Sequence, residues 1–185
     1  MTLDVGRWWQ RADVGDQSVV ERCAGQVLDI GCGAGRLVEA LALRGHEVLG
    51  IDVCHSAVVA TVCRGGAARR GSVFDPIPEE GGWDSALLID GNIGIGGDPR
   101  VLLRRIRNLV RDSGLLIVET ATANVDERRR VRIYVGQKAA SPVFSWAILG
   151  ARALIRHAES TGWTAAEQWG TTSPERHFVA LRARA

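Results

Sequence analysis

Short, unbroken apolar runs alternate along the chain with longer segments whose apolar residues recur every three or four positions. Strands buried on both faces, alternating with amphipathic helices, produce this rhythm. Gln26 to Ile30 is a strand run closed by glycine, and Leu37 to Arg44 is a helix with Leu37, Val38 and Leu41 on one face, stopped at Gly45. Glu47 to Asp52 predicts the next strand, His55 to Cys63 a short helix, and Ala67 to Phe74 a weaker strand. Trp83 to Asp90 is the clearest strand of the chain, with a continuous apolar centre between turn residues. Asp98-Pro99 supplies an N-cap followed by proline at the first helical position, so a helix runs from there to Arg111. Its apolar side is Leu102, Ile106, Leu109 and Val110, and Arg100, Arg104, Arg107 and Arg111 lie largely on the other. Asp112-Ser-Gly114 then turns the chain into a buried strand, Leu115 to Glu119.

Beyond Thr120 the pattern changes. Arg128 to Val135 alternates charged and apolar residues as an edge strand does, and Ala139 to Gly150 reads as an irregular segment carrying Phe144 and Trp146. Ala151 to Thr161 is a helix ended by Gly162, followed by strands at about Thr164 to Trp169 and His177 to Arg182. The connection Thr171 to Glu175 is too short for a crossover helix, so these two strands form an antiparallel hairpin. The expected fold class is therefore α/β: a three-layer sandwich around a mostly parallel sheet with one antiparallel strand at its end.

Composition narrows the function classes. With 46% hydrophobic and 24% charged residues in 185, the chain is neither disordered, collagen-like nor a disulfide scaffold. Its formal net charge of +2 conceals an uneven alphabet, 22 Arg against a single Lys, Lys138. The 21 acidic residues cancel that charge, so the basic footprint of a nucleic-acid binder is missing. A GC-rich genome accounts for the arginine excess more simply. The four cysteines form no Cys-x-x-Cys pair and no zinc-ligand spacing with histidine, which predicts free thiols and no metal. No run of 18 apolar residues and no signal-peptide core occurs, so a cytoplasmic protein without membrane contact is expected.

The most informative stretch is Val27-Leu-Asp-Ile-Gly-Cys-Gly-Ala-Gly-Arg36, a buried strand running into a glycine loop that opens a helix. Such a loop brings a ligand close to the backbone and to the free amides of the helix start. Asp52 ends the following strand, 21 positions after Gly31, where a carboxylate can accept both hydroxyls of a ribose. A nucleotide-phosphate loop would need Gly-Lys-Ser/Thr, which is missing, and the NAD fingerprint would need glycine where Arg36 stands. What remains is Asp-x-Gly-x-Gly-x-Gly, beginning at Asp29.

Residues 27 to 36, with Asp52, the strand end at Asp90 and the Asp112-Ser-Gly114 turn, resemble a class I S-adenosylmethionine (SAM) dependent methyltransferase. Leu88 to Pro99 also looks like a group of small bacterial methyltransferases. The resemblance implies a Rossmann-like, seven-stranded sheet in one domain over residues 1–185, with residues 1–22 as an N-terminal lid segment and 121–150 as an insertion at the substrate site. It implies SAM as cofactor and S-adenosylhomocysteine (SAH) as product. Asp29 would orient the methionine amino group; Gly31, Cys32, Gly33 and Gly35 would wrap the methionine part; Asp52 would hold the ribose. Val53 and Phe74 would flank the adenine, with Asp75, or Val73 in an alternative alignment, near its exocyclic amine.

In a doubly wound sheet the ligand crevice lies at the carboxyl ends of the strands, which places Asp90, Asn92 and Glu119 beside the transferred methyl. Asp90 and Asn92 are candidates to hold an acceptor or take its proton, Asp90 also lining the cofactor; Glu119 is a catalytic candidate or an arginine's structural partner. Trp8, Trp9 and Trp146 are the candidate substrate aromatics, and Arg128 to Arg132 would attract an acidic acceptor. The expected activity is methyl transfer to a small molecule by a monomer or homodimer. Nucleic-acid methylation is a second reading, although Asp90-Gly-Asn-Ile replaces the Asn/Asp-Pro-Pro-aromatic motif that grips a flipped base. A SAM-binding module without catalysis and an NAD-dependent oxidoreductase are the others.

Overall fold

The computed structural model describes residues 10–135 and 138–185. In chain order its elements are α1 (Val14–Val20), β1 (Val27–Ile30), α2 (Arg36–Leu43), β2 (Val48–Asp52), α3 (His55–Cys63), β3 (Ala68–Arg70) and β4 (Trp83–Leu88). A 3-10 turn (Asn92–Gly94) leads to α4 (Pro99–Leu109), β5 (Val110–Thr120), β6 (Asp126–Val131), β7 (Tyr134–Val135), β8 (Lys138–Ala139) and β9 (Phe144–Leu149). The chain closes with α5 (Ala151–Glu159), β10 (Trp163–Thr172) and β11 (Glu175–Ala183).

Seven strands form one sheet in the order β3-β2-β1-β4-β5-β11-β10. The first five are parallel, and β11 runs antiparallel to both β5 and β10, as the hairpin reading requires. Side chains alternate across this sheet and feed two cores. Leu28, Ile30, Leu88 and Val118 pack with Leu102, Ile106 and Leu154 of α4 and α5. Val27, Leu87 and Ile117 pack with Val19 of α1 and with Leu37 and Leu41 of α2. The alternation fixes which chemistry each face receives: Asp29 and Glu119 stand on the α1/α2 face, in step with Val27 and Ile117.

The differences from the sequence reading have local causes. The third strand spans only Ala68–Arg70, because two of its three residues, Arg69 and Arg70, are exposed at the sheet edge; Phe74 and Asp75 lie in the turn beyond. The turn at Asp112-Ser-Gly114 is a kink inside β5, with Ser113 at φ 61° and pairing to β4 resuming at Leu115. The expected edge strand Arg128 to Val135 does not join the sheet. It is β6 and β7, and β6 pairs with β9, which occupies the segment read as irregular. This β6/β9 ribbon is tied to α5 by Asp126, whose Oδ2 lies 2.9 Å from His157 Nε2. Helix α1 was not foreseen; Asp13 and Asp16 build a reciprocal capping box at its start. Among the described residues no helix is long and apolar enough to cross a membrane.

Candidate active site

The sheet order reverses between β1 and β4, so a crevice opens at the carboxyl ends of these strands. On its β1 side, Gly31, Gly33 and Gly35 all take positive φ (74°, 56° and 82°), which L side chains rarely adopt. A Cβ on Gly31 would stand 2.5 Å from Asn92 Nδ2, and one on Gly35 would stand 2.6 Å from the Thr61 side chain. These two neighbours hold the loop: Asn92 Nδ2 donates to the carbonyls of Ile30 (2.8 Å) and Gly31 (3.0 Å), and Thr61 Oγ1 donates to the Gly33 carbonyl (3.0 Å). Asn92, proposed from sequence as a catalytic candidate, is thus a brace on the glycine loop. Thr61 was not singled out from the sequence.

Asp29 is 2% exposed, and its Oδ2 is buried without a hydrogen-bond partner among the described residues. Burial pushes its carboxyl up to about 7; Arg36 pulls it down, and Asp90, Asp52 and Asp16 add to the rise. Asp52 sits at the mouth, its Oδ2 accepting from the Gly33 amide (3.0 Å) and its Oδ1 from the Cys54 amide (2.8 Å). Cys32 is buried, its thiol shifted upward chiefly by burial, so it fills space in the loop and is no ready nucleophile. Val53 and Phe74 remain 66% and 41% exposed, two apolar surfaces beside the Asp52 strand end and the Gly96 backbone. Asp75 turns its Oδ2 to the Ser72 amide (2.9 Å), and Val73 is buried.

The β4 and β5 side is built from charge. Arg36, the first residue of α2, places Nη1 2.6 Å from Asp90 Oδ2 and Nη2 3.0 Å from Asp90 Oδ1. Its Nε reaches Asp16 Oδ2 at 2.7 Å. Arg176 of β11 forks onto Glu119 (2.8 and 2.7 Å) and donates from Nη1 to Asp13 (2.9 Å) and Asp16 (2.8 Å). Both arginines are at most 5% exposed. The Asp16 carboxyl is pushed up by burial and pulled further down by Arg36 and Arg176, so its net shift is downward. Arg36 entered the sequence reading only as a departure from the NAD fingerprint, and Asp13, Asp16 and Arg176 not at all. The Asp13-x-x-Asp16 capping spacing ahead of Val19 and Val20 was the available signal.

Trp146 projects from β9 against the 3-10 turn, its indole so close to Gly94 that a Cβ there would meet Nε1 at 2.3 Å, and Phe144 meets its ring edge-on. Within the stretch Arg128 to Arg132, Arg128 pairs with Asp126 and Arg129 with Glu127. Trp8 and Trp9 lie outside the described residues.

A methyltransferase-domain family model matches residues 17–168. The ubiquinone biosynthesis O-methyltransferase of Bradyrhizobium diazoefficiens is 30% identical over 107 residues, 54% of this chain, and the match spans 41% of that protein's length. Among solved structures, a SAM-dependent methyltransferase from Bacteroides fragilis in complex with SAH superposes with a TM-score of 0.79 at 20% identity, over 98% of this chain and 81% of that one. The 1,6-didemethyltoxoflavin-N1-methyltransferase of Burkholderia thailandensis superposes with a TM-score of 0.75 at 16% identity, over 98% and 82%. The glycine loop and the strand order are thus found together with a family match over most of the sequence, and the chain belongs to the methyltransferase-domain family.

Proposed function

We propose that the chain is a SAM-dependent methyltransferase acting on a small-molecule acceptor. The observation that carries the reading is Asp29 Oδ2, a carboxylate oxygen buried without a partner among the described residues, on the strand that runs into the glycine cradle. Such an atom calls for a ligand donor, and an α-ammonium supplies one. Asp52 at the cradle's mouth suits the ribose hydroxyls, and the exposed Val53 and Phe74 suit the two faces of a purine. Bound SAM would supply an electrophilic methyl on a sulfonium.

Transfer from a sulfonium is an in-line displacement, for which alignment and exclusion of water supply most of the acceleration. The side chains at the β4 and β5 ends suit that task better than proton abstraction. Each oxygen of Asp90 and Glu119 already accepts from a guanidinium, and Asn92 is spent on the loop backbone. We assign all three to positioning.

A small acceptor is supported by the β6/β9 ribbon, which lays Trp146, with Phe144 edge-on to its ring, against the turn that follows β4. Arg128 and Arg129 are each paired with a carboxylate, Asp126 and Glu127, which weakens the cationic stripe that a nucleic acid would need. Incubation with methyl-labelled SAM and panels of phenols, amines, N-heterocycles and nucleic acids tests the reading. Label in a small molecule with SAH released is expected; label only in nucleic acid would overturn the acceptor class, and neither SAM binding nor turnover would overturn the whole assignment.

A further inference from the structure

The ion pairs behind the crevice close on themselves. Asp16 holds Arg36, Arg36 holds the Asp90 carboxylate, the Asp90 amide donates to Glu119 Oε2 (2.8 Å), Glu119 holds Arg176, and Arg176 returns to Asp16. This ring draws α1, α2, β11 and the ends of β4 and β5 to one point. Asp16 is its hub, with no exposed surface, and both of its oxygens accept from guanidinium groups.

The ring grips Asp90 from two sides, by its carboxylate and by its backbone amide. That residue has φ 56°, a left-handed conformation that costs a non-glycine residue energy and persists only where surrounding contacts over-determine it. Gly91 continues the same turn at φ 79°, and Asn92, next in the chain, is the brace on the carbonyls of Ile30 and Gly31. A displacement of Asp90 is therefore passed within two residues to the loop that cradles the cofactor. A buried ring of this kind is not needed for stability alone, since apolar residues of similar volume would serve as well or better.

We propose that Asp16 is a positioning residue for methyl transfer: by fixing Arg36 and Arg176 it holds Asp90 in its left-handed turn and thereby sets where Asn92 pins the cofactor loop. This rests on the cofactor site proposed above. Arg36 is the link that carries the effect, because its planar fork reaches Asp16 and Asp90 at once and a lysine ammonium could not.

The test compares the full chain with Asp16→Asn, Arg36→Lys and Leu154→Ala, the last a cavity in the opposite core and outside the ring. SAH affinity is read by titration calorimetry, backbone amide exchange at Asp90 and Asn92 in the free protein, and the thermal midpoint alongside. Asp16→Asn and Arg36→Lys are expected to weaken SAH by about tenfold or more, the scale on which small misplacements act. Both are expected to speed exchange at Asp90 and Asn92. Leu154→Ala is expected to lose thermal stability with SAH affinity and those amides unchanged. Wild-type affinity and exchange in the ring variants would overturn the proposal, as would an equal loss of affinity in Leu154→Ala. Should Asp16→Asn fail to fold, Arg36→Lys decides alone. If the wild type itself binds no SAH, the cofactor reading fails, and exchange at Asp90 and Asn92 still decides whether Asp16 sets that turn.

Discussion

The two sides of the crevice are built on opposite principles. On the β1 and β2 side the chain offers glycine backbone, exposed Val53 and Phe74, and a carboxylate oxygen of Asp29 that no group among the described residues satisfies. On the β4 and β5 side Asp90 and Glu119 are each bound by a guanidinium through both oxygens, and the guanidinium groups are buried. A surface that receives a ligand keeps its hydrogen-bonding capacity in reserve. A surface that sets geometry uses that capacity internally, because buried charge is tolerated only when paired.

The two sides are expected to break differently. Arg176→Ala is expected to have the largest effect, since it strips Glu119 of its guanidinium and leaves the buried Asp16 with Arg36 alone; a loss of about 3–5 kcal/mol is expected. Denaturant unfolding checks it, as a lower midpoint at unchanged slope. Gly31→Ala attacks the receiving side. Its left-handed φ and the clash with Asn92 should weaken SAH by on the order of 10- to 100-fold in titration calorimetry.

Asp29 gives a pH signature. Burial holds its carboxyl near 7, where the protonated form competes with an ammonium ligand. SAH affinity should therefore rise with pH, by at most about tenfold per unit, and level off above that value. The same shift has the opposite sign for stability of the free protein. The folded state retains a proton that the unfolded state releases near 3.8, so this group's contribution falls as pH rises from there to about 7. Asp29→Asn should remove both slopes, which calorimetry and chemical denaturation at stepped pH would show. The smallest effect is expected at the rim: Phe74→Ala should weaken SAH by about 0.5–1.5 kcal/mol with an unchanged thermal midpoint. A Phe74→Ala protein that binds as the wild type does would place the purine elsewhere.

The legibility of the sequence follows the same division. Strands β1, β4 and β5 and helices α2 and α4 were readable because each combines an apolar run or stripe with a local stop or cap, such as Asp98 accepting from the Arg100 amide. The glycine loop and Asp52 were readable because a receiving surface is made of backbone and lies within one βαβ unit. The ring was not, because its bonds join residues as far apart as Asp16 and Arg176, and a contact 160 positions long leaves no local pattern. Helix α1 was hidden by its length, seven residues with two core valines, and by an aspartate where a capping box more often has glutamate. The ribbon strand β9 was hidden because its run Phe144–Leu149 is apolar at every position but Ser145, which does not show the alternation of its burial, and because its partner β6 is charged and lies apart from the main sheet.

The most direct test of the account is a titration of the wild-type chain with SAH at pH 7.5, repeated in the presence of excess NAD. One saturable site with micromolar affinity, undisturbed by NAD, is the result the Asp29 and glycine-loop site predicts. No heat and no thermal stabilisation at millimolar SAH, or displacement of SAH by NAD, would contradict it.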